Sequence, residues 1–409
     1  MHRLAVVSMH TSPLAQPGTG DGGGMNVYVR QLASALARSG VECDVYTRAC
    51  SPAQVAVAAV EPGFRVHHVA AGPLGPVPKE ELRGLVGEFT EGVLARLSGS
   101  YAADAIHANY WLSGLAGHAL KHELNVPLVS TFHTLARVKA EGDEDPVSRA
   151  LAEADVMACS DAVLASCSVE ASQIEALYGV DRGRIEVVAP GVDHAFFSPG
   201  HRPQARRALS LPAGPMLLFV GRIQALKGVD VAVRTLAELA AGSGRVAGQA
   251  FLVVVGGPSG TDGLAEIARV RRLVTELGLV GRVRFVDPQP HELLSTYYRA
   301  ADLCLVPSRS ESFGLVALEA AACGTPVVAA AVGGLRTLLA HGTTGFLVEN
   351  RDPVAFAAFA REVLEDPARA AAMSTAAAAG ARRYTWSLAA RQLRLLCSRL
   401  TARSLVACR

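Results

Sequence analysis

Residues 216–228 read MLLFVGRIQALKG. The apolar run Met216–Val220 has the length and composition of a buried strand. Gly221 turns the chain, and a helix is expected to follow. Arg222 and Lys227 therefore stand beyond a strand end and at a helix start. Cations at that place suit a diphosphate, because a helix N-terminus already favours an anion. Residues 311–319 read ESFGLVALE, which places two carboxylates around a glycine. Glu319 falls inside a helix expected over 317–322, where a buried carboxylate needs partners. The hydroxyls of a ribose would supply them. Glu311 precedes Ser312, Phe313 and Gly314, whose backbone N–H groups could meet phosphate. Alternatively, Glu311 compensates the dipole of the helix that follows.

Outward from this stretch, short apolar runs alternate with amphipathic segments. Further strands are expected at 251–255, 283–285, 303–306, 327–329 and 345–347. Earlier ones are expected at 4–8, 42–47, 65–69, 105–107, 128–132, 162–165 and 185–188, with a helix over 25–39. This alternation means βαβ units and parallel sheets: an α/β chain of two Rossmann-like halves. The proline-, glycine- and arginine-rich stretch 190–212 reads as a linker. Domains over 1–198 and 199–380 follow. In the remainder, 381–409, a helix over 386–400 is expected to return to the first domain. Ligands of doubly wound sheets bind beyond the carboxyl ends of the strands. The expected active site is a cleft that both sheets face.

Bulk properties exclude several classes. Half of the 409 residues are hydrophobic and 19% are charged, which favours a well-buried globular chain. A net charge of +2 gives no global case for nucleic acid or acidic membrane as partner. No run approaches a membrane span, and MHRLAVVS reads as a first strand rather than a signal segment. Eight cysteines without a CxxC pair read as reduced structural thiols of a cytoplasmic protein, with Cys304 and Cys323 in apolar runs.

In the first half, the glycines between Gly18 and Gly24 form a loop before a helix. They match neither a dinucleotide fingerprint nor a P-loop. Gly23 and Gly24 sit where bare N–H groups favour an anion, and Asn26 lies on the first helical turn. His133 follows a strand. It could bind a sugar hydroxyl, or it could be a satisfied structural histidine. Lys79, Tyr110, Thr134 and Arg149 would form an anion-accepting set if they converge. Val286, Asp287 and Pro288 follow a strand where backbone groups could read a nucleotide base.

Taken together, GRIQALKG, ESFGLVALE, HTSPLAQPGTGDGGGMNVYVRQLA, YWLSG, HTLARVK and GGPSG resemble the family-4 retaining glycosyltransferases of the GT-B fold. The resemblance covers nearly the whole chain. It implies a sugar passing from a nucleotide diphosphate sugar, UDP- or GDP-linked, to a small hydrophilic anionic acceptor. His10, Asp21, Gly22, Gly23, Gly24, Asn26, Lys79, Asn109, Tyr110, Thr134 and Arg149 would hold the acceptor. Gln16, Pro17, Gly24, Arg222, Lys227, Val286, Gln289, Glu311, Ser312, Phe313, Gly314, Leu315 and Glu319 would hold the donor. His133, Arg222, Lys227 and Glu311 would act in catalysis. The motifs are similar to those of members that transfer N-acetylglucosamine from UDP to 1L-myo-inositol 1-phosphate in actinobacterial mycothiol synthesis. They are also similar to antibiotic-pathway paralogues, one group of which joins a GDP-octose to the thiol ergothioneine. Asn109 stands where the family usually has histidine, and Gln289 where some members have arginine. A magnesium site near Tyr298, Arg299, Ala301 and Thr325 is also described for such members. Those residue types make no cation cage, so no metal ligand set is read and no cofactor is required. A nucleotide-sugar epimerase on the same fold, a phosphorylase and a non-catalytic binding protein are the competing readings. A homodimer is left open.

Overall fold

The structure is a computed structural model. It describes residues 1–20, 22–99, 102–138, 146–260 and 262–407. The chain forms two compact units. The first comprises Met1–Ala15, Gly24–Gly191 and Trp386–Arg409; the second comprises Gln16–Gly23 and Val192–Thr385.

The first unit is built on eight strands. They are β1 Arg3–Val7, β2 Glu42–Arg48, β3 Val57–Glu61, β4 Phe64–Val69, β5 Ala105–Asn109, β6 Leu128–Thr131, β7 Ala162–Ala165 and β8 Ile185–Val187. Their order is β3-β4-β2-β1-β5-β6-β7-β8. All pairings are parallel except β3 with β4. The central strands are buried along their length, as a parallel sheet covered on both faces requires. The strand order reverses between β1 and β5, so the loops after these two strands lie beside one another.

The second unit repeats the principle with six strands. They are β9 Met216–Val220, β10 Phe251–Val255, β11 Val283–Val286, β12 Leu303–Val306, β13 Val327–Ala330 and β14 Gly345–Val348. Their order is β11-β10-β9-β12-β13-β14, all parallel. Here the reversal falls between β9 and β12, and GRIQALKG follows β9 directly. Leu217, Phe219, Leu252, Val254, Leu303 and Leu305 pack a core with Val233, Leu236 and Phe356 from the covering helices.

Three departures from the sequence reading have local causes. β3 was not expected. It is a half-exposed antiparallel edge strand with a bulge near Ala59–Glu61, and its apolar run Val57, Ala58, Ala59, Val60 is half alanine, a weak strand former. The stretch read as a linker contains the helix Arg202–Ala208. Pro203 is tolerated in its first turn, where N–H groups have no intrahelical partner. Arg206 anchors that helix on the Ala300 and Gly214 carbonyls and on Asp302. Finally, Cys304 and Cys323 are buried free thiols, but the sulfur of Cys159 is held in a disulfide. Among the described residues, no helix is long and apolar enough to cross a membrane.

The helix Trp386–Leu400 packs within the first unit against the helix Gly24–Arg38. Arg394 donates to the Ser39 carbonyl at 3.0 Å, and Trp386 meets the ring of Tyr28 edge-on. Beyond that helix, the chain is clamped by a buried ion pair. Lys121, 2% exposed, lies 2.9 Å from Asp161 and donates to the Val406 carbonyl at 3.0 Å. Asp161 accepts from the backbone N–H groups of Leu128 and Val406. Removing one partner of such a pair strands a buried charge. Asp161→Ala is therefore expected to cost about 3–5 kcal/mol, read as a lower urea midpoint. A loss below about 1 kcal/mol would show that the pair is dispensable.

Candidate functional site

In the second unit, Arg222 lies in the turn after β9. Lys227 ends a short 3₁₀ turn, Ala225–Lys227, ahead of the helix Val229–Ala240. Gly228 at φ 74° makes the junction, where a Cβ would stand 2.5 Å from the Pro307 carbonyl oxygen. Lys227 Nζ reaches Glu311 Oε1 at 2.5 Å, and the same oxygen accepts from Ser308 at 2.7 Å. The Glu311 turn is seated on Gly333 and Gly334. A Cβ on Gly333 would lie 1.9 Å from the Glu311 carbonyl oxygen, and one on Gly334 would lie 2.4 Å from that of Ser312. Gly334 N–H donates to the Glu311 carbonyl at 2.9 Å. Phe313 is buried against Tyr384. Gly314, at φ 99°, stands before the helix Leu315–Ala322.

Glu319 is 5% exposed inside that helix. Its burial is compensated by protein groups: Tyr298 Oη donates to Oε2 at 2.8 Å, and His291 Nε2 lies 2.7 Å from Oε1. Burial opposes charge on His291, but the Glu319 carboxylate outweighs it and raises the histidine's pKa. The sequence reading had assigned this compensation to ribose hydroxyls. A bound ribose would have to share these oxygens.

The glycine-rich loop is divided between the units. Residues 16–23 belong with the second, while Gly24 and Asn26 open the first helix of the first. Gln16 Nε2 donates to the Gln289 carbonyl at 2.6 Å and to the Pro17 carbonyl at 3.4 Å. Ser259, after β10, donates to the Gly20 carbonyl. Gly22 closes the loop on Thr19 and Gly18. Gly23 lies against the Arg222 guanidinium, which donates to Ser259 at 3.4 Å. The carbonyl of Val286 accepts from Gly256 within the sheet. The Gln289 amide donates to the Asp287 carbonyl. Asp21 lies outside the described residues.

In the first unit, Lys79, Tyr110, Thr134 and Arg149 come together. Lys79 Nζ stands 4.6 Å from the Tyr110 ring centre, and the Arg149 guanidinium stands 5.1 Å from it. Arg149 donates to the Thr134 carbonyl at 2.8 Å and hydroxyl at 3.0 Å, and pairs with buried Glu153 at 2.8 Å. Glu153 also accepts from the Ala136 N–H and from Tyr178. The buried hydroxyl of Tyr110 has no partner among the described residues. His10 packs on the Tyr110 ring at 4.5 Å. Asn26 is buried and donates to Thr11 and to the Ser12 carbonyl, so its amide shapes the turn after β1.

His133 follows β6 with φ 62°, and Tyr110 follows β5 with φ 77°; both are rare values for bulky side chains. His133 Nε2 lies 2.9 Å from Asn109 Oδ1, and Tyr28 packs edge-on against its ring. Burial, with His107 nearby, brings the His133 pKa down to about 3. His133 is therefore neutral at pH 7.

No metal is implied by these groups. Tyr298 is bonded to Glu319, Thr325 donates to the Tyr298 carbonyl, and Arg299 donates to the Ser198 carbonyl. A guanidinium beside occupied carbonyls does not fit a magnesium ion. Elsewhere, His118, His122 and Cys159 place their ligand atoms within 4.8 Å of one another, but the Cys159 sulfur is already in a disulfide. The sequence reading did not single out Ser259, Ser308, His291, Tyr28 or Glu153. Two of them lie inside motifs that carry the family resemblance: Ser259 in GGPSG and Tyr28 in GGGMNVYVRQLA.

Comparison with known proteins places these residues in a family. Residues 202–379 match the model for glycosyl transferases group 1, and residues 23–191 match that for a glycosyl transferase 4-like domain. A D-inositol 3-phosphate glycosyltransferase of Thermomonospora curvata is 46% identical over 94% of this chain and 92% of its own. One from Acidothermus cellulolyticus is 47% identical over 94% of this chain and 87% of its own. Among solved structures, a sucrose-phosphate synthase from Thermosynechococcus elongatus superposes with TM-score 0.90 at 34% identity, covering 98% of this chain and all of its own. The Anabaena HepE structure with UDP and glucose reaches TM-score 0.77 at 20% identity, a likeness of fold.

The His291–Glu319 pairing has a direct test. Glu319→Gln is expected to lower the His291 pKa, read by NMR titration, because burial then meets less opposition. An unchanged pKa would remove Glu319 as its cause.

Proposed function

The chain belongs to the group 1 glycosyltransferases, and from that membership we propose that it transfers N-acetylglucosamine from UDP to 1L-myo-inositol 1-phosphate with retention. That acceptor is the same compound as D-inositol 3-phosphate. One observation carries the acceptor: in the first unit Lys79 and Arg149 stand against the Tyr110 ring, Arg149 holds the Thr134 hydroxyl, and the Tyr110 hydroxyl has no partner among the described residues. Two cations and two hydroxyls suit a phosphate, which takes charge-assisted bonds from several sides. Arg149 is balanced by Glu153, whereas Lys79 forms no ion pair among the described residues. Lys79 therefore contributes the charge that attracts the acceptor.

The donor diphosphate is assigned to Arg222 and Lys227 in the second unit. A diphosphate would compete with Glu311 for Lys227, so the ammonium is released to the substrate when it binds. As the donor bond breaks, its electron pair moves to the β-phosphate oxygen. Arg222 and Lys227 stabilise that added charge. Neither Glu311 nor Glu319 is assigned as a nucleophile, because Glu311 is engaged by Lys227 and Glu319 by Tyr298 and His291. The acceptor oxygen then bonds the anomeric carbon on the face the phosphate leaves, and its proton passes to the leaving phosphate oxygen. Alignment and charge stabilisation do the rest.

A donor and acceptor matrix read by mass spectrometry tests this. UDP-N-acetylglucosamine and GDP-sugars are each offered to inositol 1-phosphate and to ergothioneine. Product from the UDP donor and inositol phosphate alone, with retained anomeric configuration by NMR, is expected. Product only with ergothioneine would replace the acceptor, and epimerised donor without transfer would replace the reaction class. Arg222→Ala and Lys227→Ala should each lower kcat by roughly 100-fold or more. Near-normal turnover in both would sink their assignment.

A further inference from the structure

Asn109 ends β5 and is 0% exposed. Its side-chain amide has two neighbours with different demands. Nδ2 lies 3.4 Å from the His107 carbonyl, which can only accept. Oδ1 lies 2.9 Å from His133 Nε2. Turning the amide over would set oxygen against the His107 carbonyl oxygen. The amide orientation is thus determined by its surroundings. Oδ1 accepts, so Nε2 must carry the proton. In a neutral imidazole the remaining nitrogen, Nδ1, then carries a lone pair.

We propose that Asn109 is a positioning residue: it holds His133 in the Nε2–H tautomer and leaves Nδ1 to accept a hydrogen bond from a substrate hydroxyl. The contact with substrate rests on the transferase reading above; the tautomer rests on the geometry alone. The surroundings reinforce the neutral ring. Tyr28, on the helix Gly24–Arg38, packs edge-on at 4.8 Å between ring centres. Burial keeps its phenol protonated. His107, behind Asn109 on β5, is brought down to about 3 by burial, and its Nε2 meets Thr131 at 2.9 Å. Glu170, on the helix Ser168–Tyr178, interacts with Tyr28 and is pushed up to about 7 by burial. It is the group whose titration must be told apart from that of His133. The left-handed backbone at His133 is what turns its ring back toward β5.

The test labels the histidines with 15N and reads the His133 ring by NMR between pH 5 and 8. The expected spectrum shows protonated Nε2, unprotonated Nδ1 and no titration in that range. An Nδ1–H tautomer, or a His133 titration near 6.5, would overturn the proposal. This readout needs no substrate, so it stands even if the transferase reading fails. Two variants then test the consequence. Asn109→Leu removes the acceptor and should mix the tautomers while lowering kcat by about 10- to 100-fold, by analogy with the partners that orient metal-bound histidines. Asn109→Asp keeps an acceptor, should retain the Nε2–H tautomer and should raise the His133 pKa. The acid limb of its kcat profile should then move with the His133 titration rather than with that of Glu170. Mixed tautomers with unchanged kcat in Asn109→Leu would overturn the positioning role. Should either variant fail to fold, the wild-type spectrum decides.

Discussion

Parallel strand pairing is the constraint on which the other features depend. A parallel neighbour requires a crossover, so every strand in a unit points the same way and all carboxyl ends share one edge. Thirteen of the fourteen strands obey this, β3 alone running against its neighbour. The chemistry-bearing loops then have one place to go. In the first unit, His10, Tyr110 and His133 leave β1, β5 and β6. In the second, Arg222, Ser259, Gln289 and Glu311 leave β9, β10, β11 and β12. The reversal of strand order in each sheet opens a crevice where these loops meet. Tyr110 and His133 show the local cost. Both adopt backbone angles that bulky residues avoid; Tyr110 is among the acceptor candidates and His133 among the catalytic ones.

Charge in both units is held before any ligand arrives. Arg149 is balanced by Glu153, Lys227 by Glu311, and Glu319 by His291 and Tyr298. A buried charge without such partners would be expensive. The same pairings orient the groups and so lower the cost of reorganisation when a charged substrate binds. A diphosphate bound at Lys227, as proposed above, would in that sense exchange one anion for another. Small residues make the arrangement possible, since Gly333 and Gly334 let the Glu311 turn approach closer than any side chain would permit.

Most of the fold was legible because its signals are local. The apolar runs of β7, β10 and β12 coincide with the strands read from them, and the helix Trp386–Leu400 was read at its observed limits. β3 was hidden although Val57, Ala58, Ala59 and Val60 are apolar, because alanine is a weak strand former and only the antiparallel pairing with β4 makes the segment an edge strand. The helix Arg202–Ala208 was hidden by a proline that belongs to its first turn. Site residues divided in the same way. Arg222, Lys227 and Glu311 stood out because cations and a carboxylate follow strands beside glycines. His291 and Ser259 did not, because each acts through a partner 28 or 239 residues away.

By itself, the sequence determined the alternation of strand and helix, the two-unit division into Rossmann-like sheets and the family, since each follows from periodicity or from contiguous motifs. Tertiary structure decided which distant side chains become partners. It sent the loop 16–23 to the second unit, supplied Glu319 with Tyr298 and His291, and brought Lys79, Thr134 and Arg149 around Tyr110. It also gave Asn109 a single orientation and thereby His133 a tautomer. The reason is physical: hydrogen bonding and charge compensation depend on distances of a few ångströms in space, and spacing along the chain does not encode them.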